Sequence, residues 1–342
     1  MSASLVVLLP VILLGAVTLL CFIGCGLDVT GTLVIFTKYS DTTVLANPAV
    51  VAYWPLSETG DNLPATDRTS PSPHNGKYVD QTTLPASYPW PGYSIGNPPG
   101  PNIESADAPG SVAFAQPGIV PGDTIQPAND PASRTPCLVV NGCYVSVPFN
   151  AKFNPATAFT LEAWVRVDWD KNAPHAWRAV LDARDFNPCT GFGIIARADD
   201  NQPGVYHWMA VVGNGGSGAA GFTIATSDDP PITLNDPSMP SGVSYYLAVT
   251  YDGPSQTLIL YVDGEQRGPK LNPATYVPNT TKPLWIGAGV PYVPMRPQAP
   301  SVALAGPLFP FVGAIQDVAV YNAALTSDVI LTHYNNGNGT DP

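Results

Sequence analysis

Residues 159–167 read FTLEAWVRV, and their alternation is complete. In an extended chain Phe159, Leu161, Ala163, Val165 and Val167 share one face, while Thr160, Glu162, Trp164 and Arg166 share the other. Strand-length segments recur between turn signals at 50–56, 111–114, 143–149, 179–184, 191–197, 205–212, 245–252, 257–265, 283–289 and 311–322. No amphipathic helix separates them. A succession of short strands without helical crossovers restricts the chain to an antiparallel sandwich or jelly roll. A helical pattern begins only at AALTSDVILTHYN, 323–335, with Thr326 or Ser327 as cap and Asp328 in the first turn.

Composition supports an ordered all-β chain. Charged residues make up only 12%, and 39 Pro and 31 Gly give many turns. The 7 Trp, 15 Tyr and 11 Phe supply a core that a disordered chain would lack. Of the 26 acids only Glu58, Glu104, Glu162 and Glu265 are glutamates; the rest are aspartates, whose short side chains suit turns. A net charge of −12 with no run of Lys or Arg excludes nucleic acid held through its phosphates. Asp263-Gly264 in YVDG and Asn141-Gly142 in VVNGCYV read as two tight hairpins.

The first residues set the domain organisation. LVVLLPVILLGAVTLLCFIG, 5–24, is uncharged and as long as a bilayer crossing. The reading is an anchor helix over 1–26, with a membrane as partner and the head exposed on a cell or virion surface. A cleaved signal is disfavoured by the absence of a basic residue before Lys38. A lipoprotein segment ending at Cys25 stays open. Residues 27–47 read as a linker with a short strand, 48–337 as one sandwich domain and 338–342 as a tail. The Pro-rich stretch at about 81–136 is an insertion too long for a simple loop. Cys137, Cys143 and Cys189 are an odd set in the head, so at most one bridge joins Cys189 to one of the others.

AYWPLSETG, DRTSPSPHNGKYV, CLVVNGCYVSVP, FTLEAWVRV, YYLAVTYDGPSQTLILYVDGE, PLWIGAG and FVGAIQDVAVYNAALTSDVILTHYNNG follow one another in the order of the laminin G-like, concanavalin A-like lectin/glucanase modules, which this chain resembles. The resemblance covers nearly everything after residue 47 except the insertion. It implies a concanavalin A-like β-sandwich. For function it is broad, since such folds serve glycan binding, adhesion, catalysis and structure. It also implies a structural Ca²⁺ between the loop after the first strand and the last strand, at Asp67, Asn75 and Asp317. Here Pro71 and Pro73 interrupt that loop and Gln316 stands where an acid is common. The alternative is a hydrogen-bonded Asp317 tying the first and last strands. Glu58 would then bond loop backbone or approach the ion.

Hydrolysis on this fold needs two carboxylates close together. No two of the four glutamates lie within five residues of each other, although Asp168 and Asp170 are spaced to face one way. His74, His175, His207 and His333 have no metal-ligand spacing. The expectation is therefore a non-catalytic, membrane-anchored module that binds a glycan or another surface component. Sugar rings would stack on exposed aromatics. The candidates are Trp169, His175 and Trp177, around the loop DWDKNAPHAW, with Trp208 and Trp285. The rival expectation is a structural subunit of a virion or large membrane complex, with neighbouring subunits on the insertion. NTT at 279–281 and NGT at 338–340 are acceptor sequences for a host that glycosylates.

Overall fold

The computed structural model describes residues 25–27, 33–35, 39–60, 63–69, 73–79, 111–116, 118–122, 137–141, 143–168, 177–198, 205–227, 232–233, 243–289 and 311–339. The anchor helix expected over 1–26 and most of the insertion lie outside them. Among the described residues no helix is long and apolar enough to cross a membrane. Strands are numbered in chain order. Two short hairpins, β1 (Cys25–Leu27) with β2 (Leu33–Ile35) and β10 (Asp185–Phe186) with β11 (Cys189–Thr190), stand apart from the two large sheets.

The first sheet has eight strands: β3 (Val50–Trp54), β5 (Ser111–Gln116), β6 (Cys137–Asn141), β8 (Ala158–Val167), β16 (Ser244–Asp252), β17 (Thr257–Val262), β18 (Glu265–Leu271) and β20 (Val312–Tyr321). Its order is β18-β17-β16-β8-β20-β6-β5, with β3 also on β20. The second sheet contains β4 (Lys77–Val79), β7 (Tyr144–Val147), β9 (Trp177–Asp182), β12 (Phe192–Ala198), β13 (Val205–Gly213), β14 (Phe222–Thr226), β15 (Ile232–Thr233) and β19 (Leu284–Ile286). Its order is β14-β13-β12-β9-β19-β7-β4, with β15 on β13. Every pairing is antiparallel.

The main core lies between the sheets. Phe159, Leu161, Ala163, Val165 and Val167 of β8 all belong to it, as the alternation requires. On β3 Ala52 and Trp54 enter it as well, and Tyr53 points the other way. β20 changes neighbour part-way along: Val312–Ile315 pair with β6 and Val318–Tyr321 with β3. The change falls at a bulge between Gln316 and Ala319, where Asp317 takes φ 53°.

A second core covers the outer face of the first sheet. Trp164, Tyr246, Tyr261 and Tyr321 stand there beneath helix α1 (Ser327–Asn338) and the turn at Ser40–Val44. Tyr39 and Val44, within the stretch read as linker, are buried at 1% and 0% exposure and pack with the head's outer core. The outward aromatics of β8, β16 and β20 need cover, and two apolar residues in a polar-looking stretch supply part of it. Thr326 caps α1 through the Val329 N–H. Gly337 sits so close to Trp164 that a Cβ there would lie 2.4 Å from its ring. Part of the insertion is tied to the same face: the Ile119 N–H donates to Gln316 Oε1 and the Gly122 N–H to the Gly337 carbonyl.

Two local expectations change. Asp263-Gly264 does form the β17–β18 hairpin, with φ 52° and 78°. Asn141-Gly142 does not form one, because β6 lies in the first sheet and β7 in the second. Cys143 and Cys189 are buried free thiols, so no bridge joins them.

Candidate functional site

The outer face of the second sheet collects aromatic and polar side chains in rows set by strand register. Trp177 on β9 lies across from Arg197 on β12, and Arg197 across from His207 on β13. Directly opposed residues point to one face, and strands lie about 4.8 Å apart, so this row spans roughly 10 Å. Arg197 is exposed, and Trp177 and His207 are half-buried. The His207 ring is fixed by Nδ1, 2.9 Å from the Ser227 carbonyl oxygen. A carbonyl only accepts, so Nδ1 carries the hydrogen of this contact.

The next row, Ala179, Ile195 and Met209, is buried. Beyond it a row crosses the sheet through Lys77, Ser146, Trp285, Asp182, Gly193, Val211 and Ile224. It stands about 13 Å from the first, four residues along β12 at about 3.3 Å each. Half-buried Trp285 packs edge-on to Tyr144 with ring centroids 6.1 Å apart. Burial pushes the Tyr144 hydroxyl pKa up. Asp182 is wholly buried and neutralised by Arg184, whose Nε and Nη2 donate to its two oxygens at 2.9 and 2.6 Å. The Arg184 guanidinium also lies over the Phe186 and Phe222 rings at 5.5 and 5.4 Å.

Of the residues expected to meet sugar, Trp177 and Trp285 share this face. Trp169 and His175 lie outside the described residues. Trp208 is corrected: it is one position from His207 and so points inward, 1% exposed and edge-on to Tyr245 at 5.9 Å. Arg197 and His207 were not singled out for this role by sequence. The signal that finds them is their register with Trp177, which no local pattern contains. Asn279, first residue of NTT, is 2% exposed; its amide donates to the Lys282 carbonyl and accepts from the Thr281 and Lys282 N–H groups.

The residues expected to hold Ca²⁺ come together as a hydrogen-bond knot. Asp67 Oδ1 accepts from the Tyr53 N–H at 3.0 Å, the Thr69 N–H at 2.9 Å and the Thr69 hydroxyl at 2.8 Å. Its Oδ2 accepts from the His74 N–H at 2.8 Å and lies 3.2 Å from His74 Nδ1. Asn75 Oδ1 accepts from the Asp67 N–H. Asp317 joins indirectly, its Oδ1 accepting from the Tyr53 hydroxyl at 2.5 Å and its Oδ2 from Gln316 Nε2 at 3.3 Å. Ca²⁺ needs six to eight oxygens with lone pairs to give, and here protein donors occupy them. The arrangement therefore does not fit the ion. Among the described residues no cluster of His, Cys, Asp and Glu has metal-binding geometry.

The sequence model of the concanavalin A-like lectin/glucanases superfamily matches residues 141–331, more than half of the chain. This chain belongs to that superfamily. Comparison with curated protein sequences gives no match. Among solved structures, a botulinum neurotoxin serotype D binding domain is similar at 10% identity and TM-score 0.46, over 84% of this chain and 51% of that one. The serotype D ligand-binding domain in complex with N-acetylneuraminic acid gives 9% and 0.45, over 84% and 50%. Domain 4 of a GH43 extracellular arabinanase from Geobacillus stearothermophilus, in complex with arabinotriose, gives 14% and 0.46, over 83% and 98%. The chain spans about half the length of the neurotoxin domains.

In a superfamily that includes glucanases, the carboxylates have to be placed. Glu162 faces out from β8 but is 0% exposed. Its carboxylate accepts from the Tyr246 hydroxyl at 2.7 Å and from the Tyr321 hydroxyl, and it lies 2.9 Å from His333 Nδ1 on α1. Burial, then the charge of Glu162, pushes the Tyr246 and Tyr321 hydroxyl pKa values well up. Glu58 accepts from the Thr66 N–H at 2.8 Å and the Tyr78 hydroxyl at 2.6 Å, which is the loop-backbone role expected of it. Asp168 is held bidentately by Arg166. Glu104 and Asp170 lie outside the described residues.

Proposed function

We propose that this chain is a non-catalytic binding module that holds glycan on the outer face of its second sheet. The observation that carries this reading is the row Trp177–Arg197–His207, an aromatic ring beside polar groups on one accessible edge of the face. An aromatic face with oriented polar neighbours suits a sugar ring, one side of which is apolar C–H and the rim hydroxyl. The described glutamates support the non-catalytic part: Glu162 and Glu58 are held by tyrosines and backbone, and Glu265 pairs with Arg267 at 3.1 Å.

The test is a glycan array with the full chain and with Trp177→Ala. Reproducible binding that the variant loses, with an unchanged melting temperature, is the expected result. Binding that survives the variant would move the site off this row. A folded chain that binds no glycan would overturn the reading in favour of a protein-contacting subunit.

We further propose that residues 5–24 hold the module at a membrane, on the strength of their uninterrupted apolar run. Expressed chain should stay with the membrane fraction after an alkaline wash. Release into the supernatant would overturn the anchor.

A further inference from the structure

We propose that the opposite margin of the same face, Trp285 with Tyr144, Ser146 and Lys77, is a second and weaker saccharide subsite. It takes an acidic sugar, its ring on Trp285 and its carboxylate on Lys77. This goes beyond the Trp177 row but rests on the reading of the module as glycan-binding. Three adjacent strands build the margin. Lys77 on β4 lies directly across from Ser146 on β7, and Ser146 directly across from Trp285 on β19. Directly opposed residues point to one face. An exposed ammonium, a half-buried hydroxyl and a half-buried indole therefore stand in line over two strand spacings, roughly 10 Å. Tyr144, two residues before Ser146, meets Trp285 at an interplanar angle of 71°. Such a T-shaped pair holds both rings while each keeps at least one face out of the contact, and sugar C–H stacks on such a face.

The charges select the ligand. Lys77 makes no ion pair among the described residues, whereas Lys282, three positions before Trp285, is taken by Asp185 at 3.5 Å. On its other side Trp285 lies across from Asp182, which is wholly buried and neutralised by Arg184. The four side chains of the margin thus carry one positive charge and no negative one. In a chain of net charge −12 most of the surface repels an anion, so this ammonium supplies the local attraction an acidic sugar requires. The lysine stem is long and flexible and reaches toward an exocyclic carboxylate of a ring seated on the indole. Ser146, between the two, both donates and accepts, which suits a ring hydroxyl. The Trp177 row stands about 13 Å away across buried residues, so one sugar unit cannot reach both. A single sugar held by one ring and one exposed cation binds with a dissociation constant on the order of 1 mM. A washed array therefore reads the Trp177 row alone.

The test titrates monomeric galacturonate and its methyl ester, which keeps the sugar and removes the charge, into the full chain carrying Trp177→Ala, read by ligand-observed NMR. That chain should still bind galacturonate on the order of 1 mM. The acid should bind roughly two- to fivefold more tightly than the ester, the worth of an exposed ion pair, and added salt should close the gap. Adding Lys77→Gln, at an exposed position, should erase the gap while leaving the ester's affinity and the melting temperature unchanged. Adding Trp285→Ala should take both ligands below detection, and Trp285→Phe, which keeps a ring to stack on, should restore them. If the Trp177→Ala chain binds neither ligand while the parent binds glycan on the array, the proposal is overturned and the glycan reading stands. Equal binding of acid and ester, or a gap that survives Lys77→Gln, overturns it too. A parent chain that binds no glycan at all removes both.

Discussion

Asp263 stands at the tip of the β17–β18 hairpin in a left-handed conformation, φ 52°, and its Oδ1 accepts from the Tyr246 N–H at 2.8 Å. Burial raises its pKa from 3.8 to about 6; Tyr246's N–H and Arg267 oppose the rise and Glu265 adds to it. Two tyrosines also feel Asp263: Tyr245, pushed up to about 12 by burial and then by Asp263, and Tyr334 on α1, pushed up by burial and by Asp263 and Glu265. The native state thus holds the Asp263 proton more tightly than the unfolded chain. Stability is greatest below 3.8 and falls as pH rises through about 6. The full gap corresponds to about 3 kcal/mol, which partial exposure screens to about 1–2 kcal/mol. Asp263→Asn keeps the acceptor for Tyr246 and tolerates the left-handed backbone, yet has no charge to bury. It should therefore match the parent at about pH 4 and exceed it by about 1–2 kcal/mol above about pH 7. Urea unfolding followed by tryptophan fluorescence across that range measures the difference. A gap that does not change with pH, or a variant weaker than the parent at neutral pH, would refute the reasoning.

Three further outcomes follow from the packing. Chelation should leave the melting temperature unchanged, whereas Asp67→Ala should cost about 3–5 kcal/mol by stranding the Tyr53, Thr69 and His74 N–H groups; a chelator-sensitive melt would restore the ion. A chain beginning at residue 48 should be about 3–5 kcal/mol less stable than one beginning at 38, because it lacks buried Tyr39 and Val44; equal denaturation midpoints would return 39–47 to the status of linker. Gly337→Ala should gain about 1 kcal/mol of helix propensity but lose about 1–3 kcal/mol against the Trp164 ring, so a net stabilisation would show that α1 does not rest on that ring.

What the sequence discloses depends on whether a residue's environment is local. The alternation of β8 is readable because its inward face is wholly apolar and its outward face mixed, and the Thr326 cap and the Asp263-Gly264 turn are equally local. Asn141-Gly142 carries the same hairpin signal, but the sequence cannot show that its flanking strands join different sheets. Trp208 and His207 sit in VYHWMAVV, where both faces are apolar, and only register with β12 tells them apart. The Asp67 set is ambiguous for a chemical reason. A carboxylate and an amide oxygen that suit Ca²⁺ suit backbone N–H donors equally, and the sequence does not choose between them.

On the proposed glycan reading, the two outer faces of the sandwich divide structure from recognition. The first sheet's face is closed by α1, the Tyr39–Val44 turn and a stitched piece of the insertion, and its polar groups are spent internally: Glu162 on two tyrosines and His333, Thr43 on Asn336, the Gly337 carbonyl on Gly122. α1 buries only Ile330, His333 and Gly337, so its docking rests on close approach to Trp164 and on these polar contacts together. A partner on that face would have to displace both groups of contacts. The second sheet's face is covered over Ala179, Ile195 and Met209 and again over Asp182 and Val211, which leaves Trp177 and Arg197 at one margin and half-buried Trp285 with Tyr144 at the other. Substitutions at an exposed position such as Arg197 typically move stability by less than about 0.5 kcal/mol. If glycan is held there as proposed, its recognition can therefore change on this margin while the fold, held from the opposite face, stays intact.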